Sequence, residues 1–442
     1  MSAFRISLTV LLFLGACKDR ESVDLGALTD PVSCAGCHPK HYEQWSGSMH
    51  AYASNDPMFV ELNRLAQEQT DGAVGGFCVG CHAPVALRLG ETEDGLNIEE
   101  VPQRHRGITC YFCHQIDAIE GEHNAAVGLA HDNVFRAGHR DPLATPAHRS
   151  SYSELHDGSR TESSDLCGVC HDVVTPAGVE LENTYKEWQA SIFGDPEGAP
   201  VTCSGCHMPG ENDRAAEVDG APMRRIHDHR MPGVDVALQD DWPDQEAQRA
   251  AIQRDLDPSI TAQLCVTPDF QISITVENLI VGHAWPSGVT HARRAWVEVV
   301  AYDGDEQVFA SGQVSEKEAV FEFGGPDLWS FGTEIFDDAG DPVHFSWQAT
   351  DITSNLLPPT MVDPDGPSPI HTRTRIYRTG VPFDHVAIAV KIRPVGLDVV
   401  DAIIHEGGKL PDDLRERIPT FTLASTELNW RKEEDGWDCV GN

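Results

Sequence analysis

Five segments of the chain set two thiols and an imidazole at one spacing: Cys34-Ala-Gly-Cys37-His38, Cys78-Val-Gly-Cys81-His82, Cys110-Tyr-Phe-Cys113-His114, Cys167-Gly-Val-Cys170-His171 and Cys203-Ser-Gly-Cys206-His207. Paired thiols followed at once by a ring nitrogen are what covalent haem attachment requires. The thiols add across two vinyl groups, and the adjacent imidazole reaches the iron as proximal ligand. Five haem c groups are therefore expected, attached through these ten cysteines and ligated by His38, His82, His114, His171 and His207.

Zinc knuckles and thiol redox sites also use Cys-x-x-Cys. With 21 His in 442 residues, a His would follow all five pairs by chance with a probability on the order of 10⁻⁷. Zinc does not require that adjacency, and five thioredoxin-like motifs without a βαβ pattern would be out of place. Residues 17–235 hold ten further histidines: His41, His50, His105, His123, His131, His139, His148, His156, His227 and His229. They suffice to give every iron a second imidazole, the six-coordinate arrangement suited to electron transfer, and about half are left for other duties.

Tyr42-x-x-Trp45-x-x-Ser48-Met49-His50-Ala51, Gly107-Ile108-Thr109 before the third motif, and Met208-Pro209 after the fifth resemble the multihaem cytochromes c typified by the tetrahaem cytochrome of hydroxylamine oxidation. The resemblance covers most of residues 31–235. It implies distal ligation by His50, by His148 in Pro146-Ala147-His148 and by His229 in His229-x-Met231-Pro232-Gly233. His123 stands near a family ligand position at a different spacing, and His156 completes the candidates. The family also includes enzymes in which one haem lacks a distal ligand and binds a small nitrogen or sulfur compound. No motif here replaces its proximal His by Lys, so the ammonia-forming nitrite reductase signature is not visible. Tyr185-x-x-Trp188-x-x-Ser191-Ile192-Phe193 echoes the segment 42–50, with Phe193 where His50 stands. Met208, next to His207, cannot easily reach the opposite face of its iron and reads as a packing residue.

These ligands need elements to hold them. The motifs begin at 34, 78, 110, 167 and 203, with no fixed period, so a solenoid is excluded. With five macrocycles between Cys34 and His207, roughly one per 35 residues, the haems themselves supply much of the core. Short helices and loops should wrap them. From about residue 245 the pattern changes to period two, as in Phe270, Ile272, Ile274, Val276 and in Val386, Ile388, Val390, Ile392, with Trp296 to Tyr302 between. Such alternation indicates strands and a β-sandwich of immunoglobulin-like size. The fold class is then α+β and multidomain: a signal segment 1–16, a linker 17–30, a pentahaem domain 31–240 and a β-sandwich 245–442.

Gly282-His283-Ala284-Trp285-Pro286-Ser287-Gly288 and Arg293-Arg294-Ala295-Trp296 resemble the β-domain appended to some multihaem cytochromes. His283 is read as a hydrogen-bonded turn residue, with a reach to a haem at the domain junction as the alternative. The two remaining thiols of this half, Cys265 and Cys439, are expected to form a disulfide in an oxidising compartment.

At the N-terminus, Arg5 precedes an apolar run from Ile6 to Gly15, too short to span a bilayer, and Leu14-Gly15-Ala16-Cys17 resembles a bacterial lipobox. The expectation is export, lipidation at Cys17 and a lipid anchor, with Lys18 favouring the outer membrane. The protein carries 70 Asp and Glu against 32 Lys and Arg, a net charge of −38 that opposes nucleic acid. It would steer basic redox partners, although it would equally serve solubility or a saline habitat. The functional expectation is electron carriage between periplasmic or outer-membrane partners. The alternatives are a periplasmic oxidoreductase with one open haem and a module that clips a haem chain onto a membrane complex.

Overall fold

The structure is a computed structural model describing residues 25–143, 145, 147–361 and 371–441. The signal segment, the lipobox with Cys17 and residue Pro146 lie outside the described residues.

Between residues 25 and about 240 the described residues form short helices separated by turns, with small two-stranded ribbons. The brevity is dictated by sequence. Each motif needs only one helical turn to put both thiols on one side, as in Phe77–His82, Cys110–Gln115 and Cys203–His207. Thr109 and Thr202 start two of these turns, their hydroxyls accepting from Phe112 N and Gly205 N. Prolines at 39 and 84 begin new helices directly after the first and second motifs. The longest helix of this half, Pro57–Gln69, is capped by Asp56, whose carboxylate accepts from Met58 N.

Beyond the helix Gln245–Leu256 the chain is an antiparallel β region. One sheet has the order Thr372–Arg378, Gln271–Glu277, Thr261–Val266, Val440–Gly441. The other is built on Arg294–Asp303 paired with His385–Arg393, flanked by Glu306–Ser311 and Phe421–Thr422. Ile272, Ile274 and Val276 point inward from the first sheet, and Val297, Val299, Ile388 and Val390 from the second, into one core. The two sheets thus form the layers of a sandwich. Arg294–Asp303 is buried along both faces for most of its length, so apolar residues run from Ala295 to Ala301, interrupted by Glu298, rather than alternating. Phe270 differs from the expectation: it is a turn residue at φ 58° before the strand, not part of it.

The two halves are not independent bodies. Met58 and Leu65 of the helix Pro57–Gln69, with Val234, Val236 and Leu238, belong to the same core as Leu264 and Ile274 of the β region. A second apolar contact joins Val179 and Leu181 to Ile335 and Ala349. Arg293, 7% exposed, closes the seam with two 2.7 Å bonds to the Asp235 carboxylate. Cys265 and Cys439 are disulfide-bonded, and the strand after Cys439 pairs Val440 with Leu264.

Candidate haem sites

The five motif imidazoles share one hydrogen-bonding habit. Nδ1 of His38 bonds Ala215 O at 2.6 Å, His82 bonds Ala53 O at 2.9 Å, His114 bonds Arg136 O at 2.6 Å and His207 bonds Pro232 O at 2.8 Å. His171 instead faces the Glu182 carboxylate at 3.3 Å. Each acceptor fixes the proton on Nδ1 and leaves the Nε2 lone pair for a metal. Burial, ahead of other influences, lowers the pKa of His38, His82 and His114, keeping those rings neutral as ligation demands.

None of the ten motif thiols is in a disulfide. Thiols of different motifs meet: Cys34 with Cys110, Cys81 with Cys170, and Cys167 with Cys203. Cys113 lies within electrostatic reach of Cys167 and Cys170, which connects the first and third motifs to the rest. The attachment points therefore form one continuous cluster.

Four motif rings face a second imidazole at nearly one distance. Ring centres are 6.2 Å apart for His38 and His148, 6.5 Å for His114 and His229, 6.3 Å for His50 and His171, and 6.3 Å for His207 and His283. Two imidazoles sharing one metal at about 2.0–2.1 Å from each nitrogen would have ring centres about 6.3 Å apart. Thiol pairs, free Nε2 atoms and this spacing fit haem.

The chain shapes these approaches from remote segments. Ser48 caps the turn Met49–Tyr52 that carries His50. The His50 carbonyl accepts from Ile108 N at 2.8 Å, and Trp45 Nε1 donates to Ile108 O at 2.8 Å. Gly107, at φ 69°, makes this contact feasible, since a Cβ there would stand 2.6 Å from His50 O. Burial pushes His50 down to about 4 and His229 to about 3.

The other candidates are placed differently. His156 stacks 5.6 Å from His114, but both its nitrogens are engaged, Nδ1 with Ser153 Oγ and Nε2 with Cys113 O. Among the described residues His123 makes no ring contact with a motif imidazole, and its Nδ1 is buried without a hydrogen-bond partner. His105 is held by Glu91 and Thr29. His41, on the helix that follows His38, lies edge-on to His229 at 4.7 Å. Among the described residues no second imidazole faces His82 at the shared spacing; Phe59 stacks flat on it at 4.2 Å. His283 makes its expected turn bond, Nδ1 to Ala284 O, and also stacks on His207.

Residues 33–115 match the family model described as cytochrome c554 and c-prime. No curated protein matches the chain. Among solved structures, the penta-heme cytochrome c552 from Thermochromatium tepidum is similar, with a TM-score of 0.60 and 22% identity over 90% of this chain and 98% of that one. These findings support a multihaem c-type cytochrome. Covalently bound haem c and an electron-transfer role go with that support, and the likeness in fold extends through the β region. Among the described residues no helix is long and apolar enough to cross a membrane.

Proposed function

We propose that the protein carries electrons along five covalently bound haems between redox partners of the cell envelope. The observation that carries this reading is the uniform posture of the five motif imidazoles, each with Nδ1 engaged. When bound, haem supplies a one-electron ferric/ferrous couple. The residues would do the rest: ten thiols would hold the groups, His38, His82, His114, His171 and His207 would ligate them, and His148, His229 and His50 face the first, third and fourth of these rings as candidate second ligands. The meeting of thiols between motifs supports close packing of neighbouring groups.

The run Ile6 to Gly15 with Leu14-Gly15-Ala16-Cys17 supports export and lipid anchoring, outer membrane ahead of inner. The charge of −38 supports basic partners; five haems would take it to roughly −44 after leader removal. Salt should slow that encounter.

One observation favours a second reading. His82 lacks a facing imidazole among the described residues, as a haem open to a small nitrogen or sulfur compound would require. Intact mass of the holoprotein and low-temperature EPR with CO titration test both. Five haem additions with no CO uptake support electron transfer alone, one CO per protein adds the open site, and fewer than five haems overturns the pentahaem reading.

A further inference from the structure

We propose that His283, from the β region, is the distal ligand of the haem attached at Cys203 and Cys206. This rests on the pentahaem reading and adds a ligand that the haem-motif segment does not contain. His207 and His283 lie with ring centres 6.3 Å apart and planes 12° apart. Both rings bond a carbonyl through Nδ1, His207 to Pro232 O and His283 to Ala284 O, so both keep Nε2 for a metal. A turn histidine with only a structural task would not need a second ring opposite it at the spacing of the other three pairs.

The seat of His283 is built from both halves of the protein. Asn278 Nδ2 donates to His283 O at 2.9 Å, and Ala284 N donates to the Glu187 carboxylate at 3.0 Å. Thr184 and Ser287 hydroxyls meet at 2.7 Å. Gly282 lies against the helix Thr184–Ala190 and its extension: a Cβ there would stand 3.1 Å from Trp188 and 3.4 Å from Phe193.

Phe193 makes the arrangement intelligible. In the segment 42–50 the residue at its position is His50, which faces His171. In the echo 185–193 the imidazole is gone, and the phenyl ring beds the turn that brings His283 in. The ligand that the second copy lacks arrives from the β region.

The test uses the full-length holoprotein with five haems confirmed by mass. His283→Gly should convert one low-spin ferric signal to high spin, raise CO uptake by one per protein, and return to low spin with added imidazole. His405→Gly, on the surface of the same region, should change neither. An unchanged spin count and CO stoichiometry in His283→Gly overturns the proposal. Should that variant load haem incompletely, His283→Met decides: one haem with a raised potential and a thioether charge-transfer band supports ligation, and unchanged potentials overturn it. Wild-type protein with fewer than five haems would instead defeat the underlying pentahaem reading.

Discussion

Glu182 places a carboxylate oxygen 3.3 Å from Nδ1 of His171, whereas the other four motif imidazoles face backbone carbonyls. Glu182 is 9% exposed and also accepts from the Thr184 hydroxyl. A carboxylate partner makes an imidazole more basic and favours the ferric state of iron bound to it. Glu182→Gln should raise the potential of the haem on His171 by about 60–120 mV, the equivalent of one to two tenfold steps. Redox titration followed by EPR checks it; five unchanged potentials would refute a tuning role.

His229 and His156 both stack near His114, but only His229 leaves a ring nitrogen unengaged. His229→Ala should add one high-spin haem and His156→Ala none. Spin quantification by EPR separates them, and the opposite result would exchange their roles.

Gly107→Ala should be costly in a way the sequence motif alone does not explain. The position sits at φ 69°, and the new methyl would stand 2.5 Å from Ala51 O. Backbone strain of this kind costs about 1–3 kcal/mol, read as a lower urea midpoint. The low-spin signal of the haem on His171 should broaden too, since the displaced backbone belongs to His50.

Asp56 gives a pH dependence of defined sign. Burial, ahead of other influences, raises its carboxyl to about 7, above the usual unfolded value of about 3.9. Between those values the folded state holds a proton that the unfolded chain has lost, so this group's contribution falls as pH rises from about 4 to about 7. Asp56→Asn keeps an equally good cap for the helix Pro57–Gln69 and should flatten that part of the stability profile. Urea unfolding at a series of pH values measures it; an unchanged slope would show that Asp56 does not titrate there.

The parts of this molecule differ in how legible they were. The five motifs stand out because covalent attachment requires contiguous residues. The alternation through Ile272, Ile274 and Val276 marks a strand with one face in the core. Distal ligands are harder: the segments around His50 and His148 mark them as candidates through the resemblance, but that His50 meets His171 and His148 meets His38 is made by tertiary packing and leaves no local pattern. The approach of His283 to His207 had two signals, the Gly282-His283-Ala284 turn and the substitution of Phe193 in the echo, neither decisive without the seam between the halves. The sharing of the β core by Met58 and Leu65 was not legible, because a short amphipathic helix does not announce its partner.

That shared core sets an order of events for a chain made from its N-terminus. The helix Pro57–Gln69 must wait for strands such as Thr261–Val266, and that sheet is completed only when Val440 reaches Leu264. Contacts so distant in sequence form slowly, whereas single helical turns form at once. The Cys-x-x-Cys-His segments therefore spend their early life on a loosely gathered chain, with thiols open to a modifying enzyme, before Met58 and Leu65 find their partners in the β core.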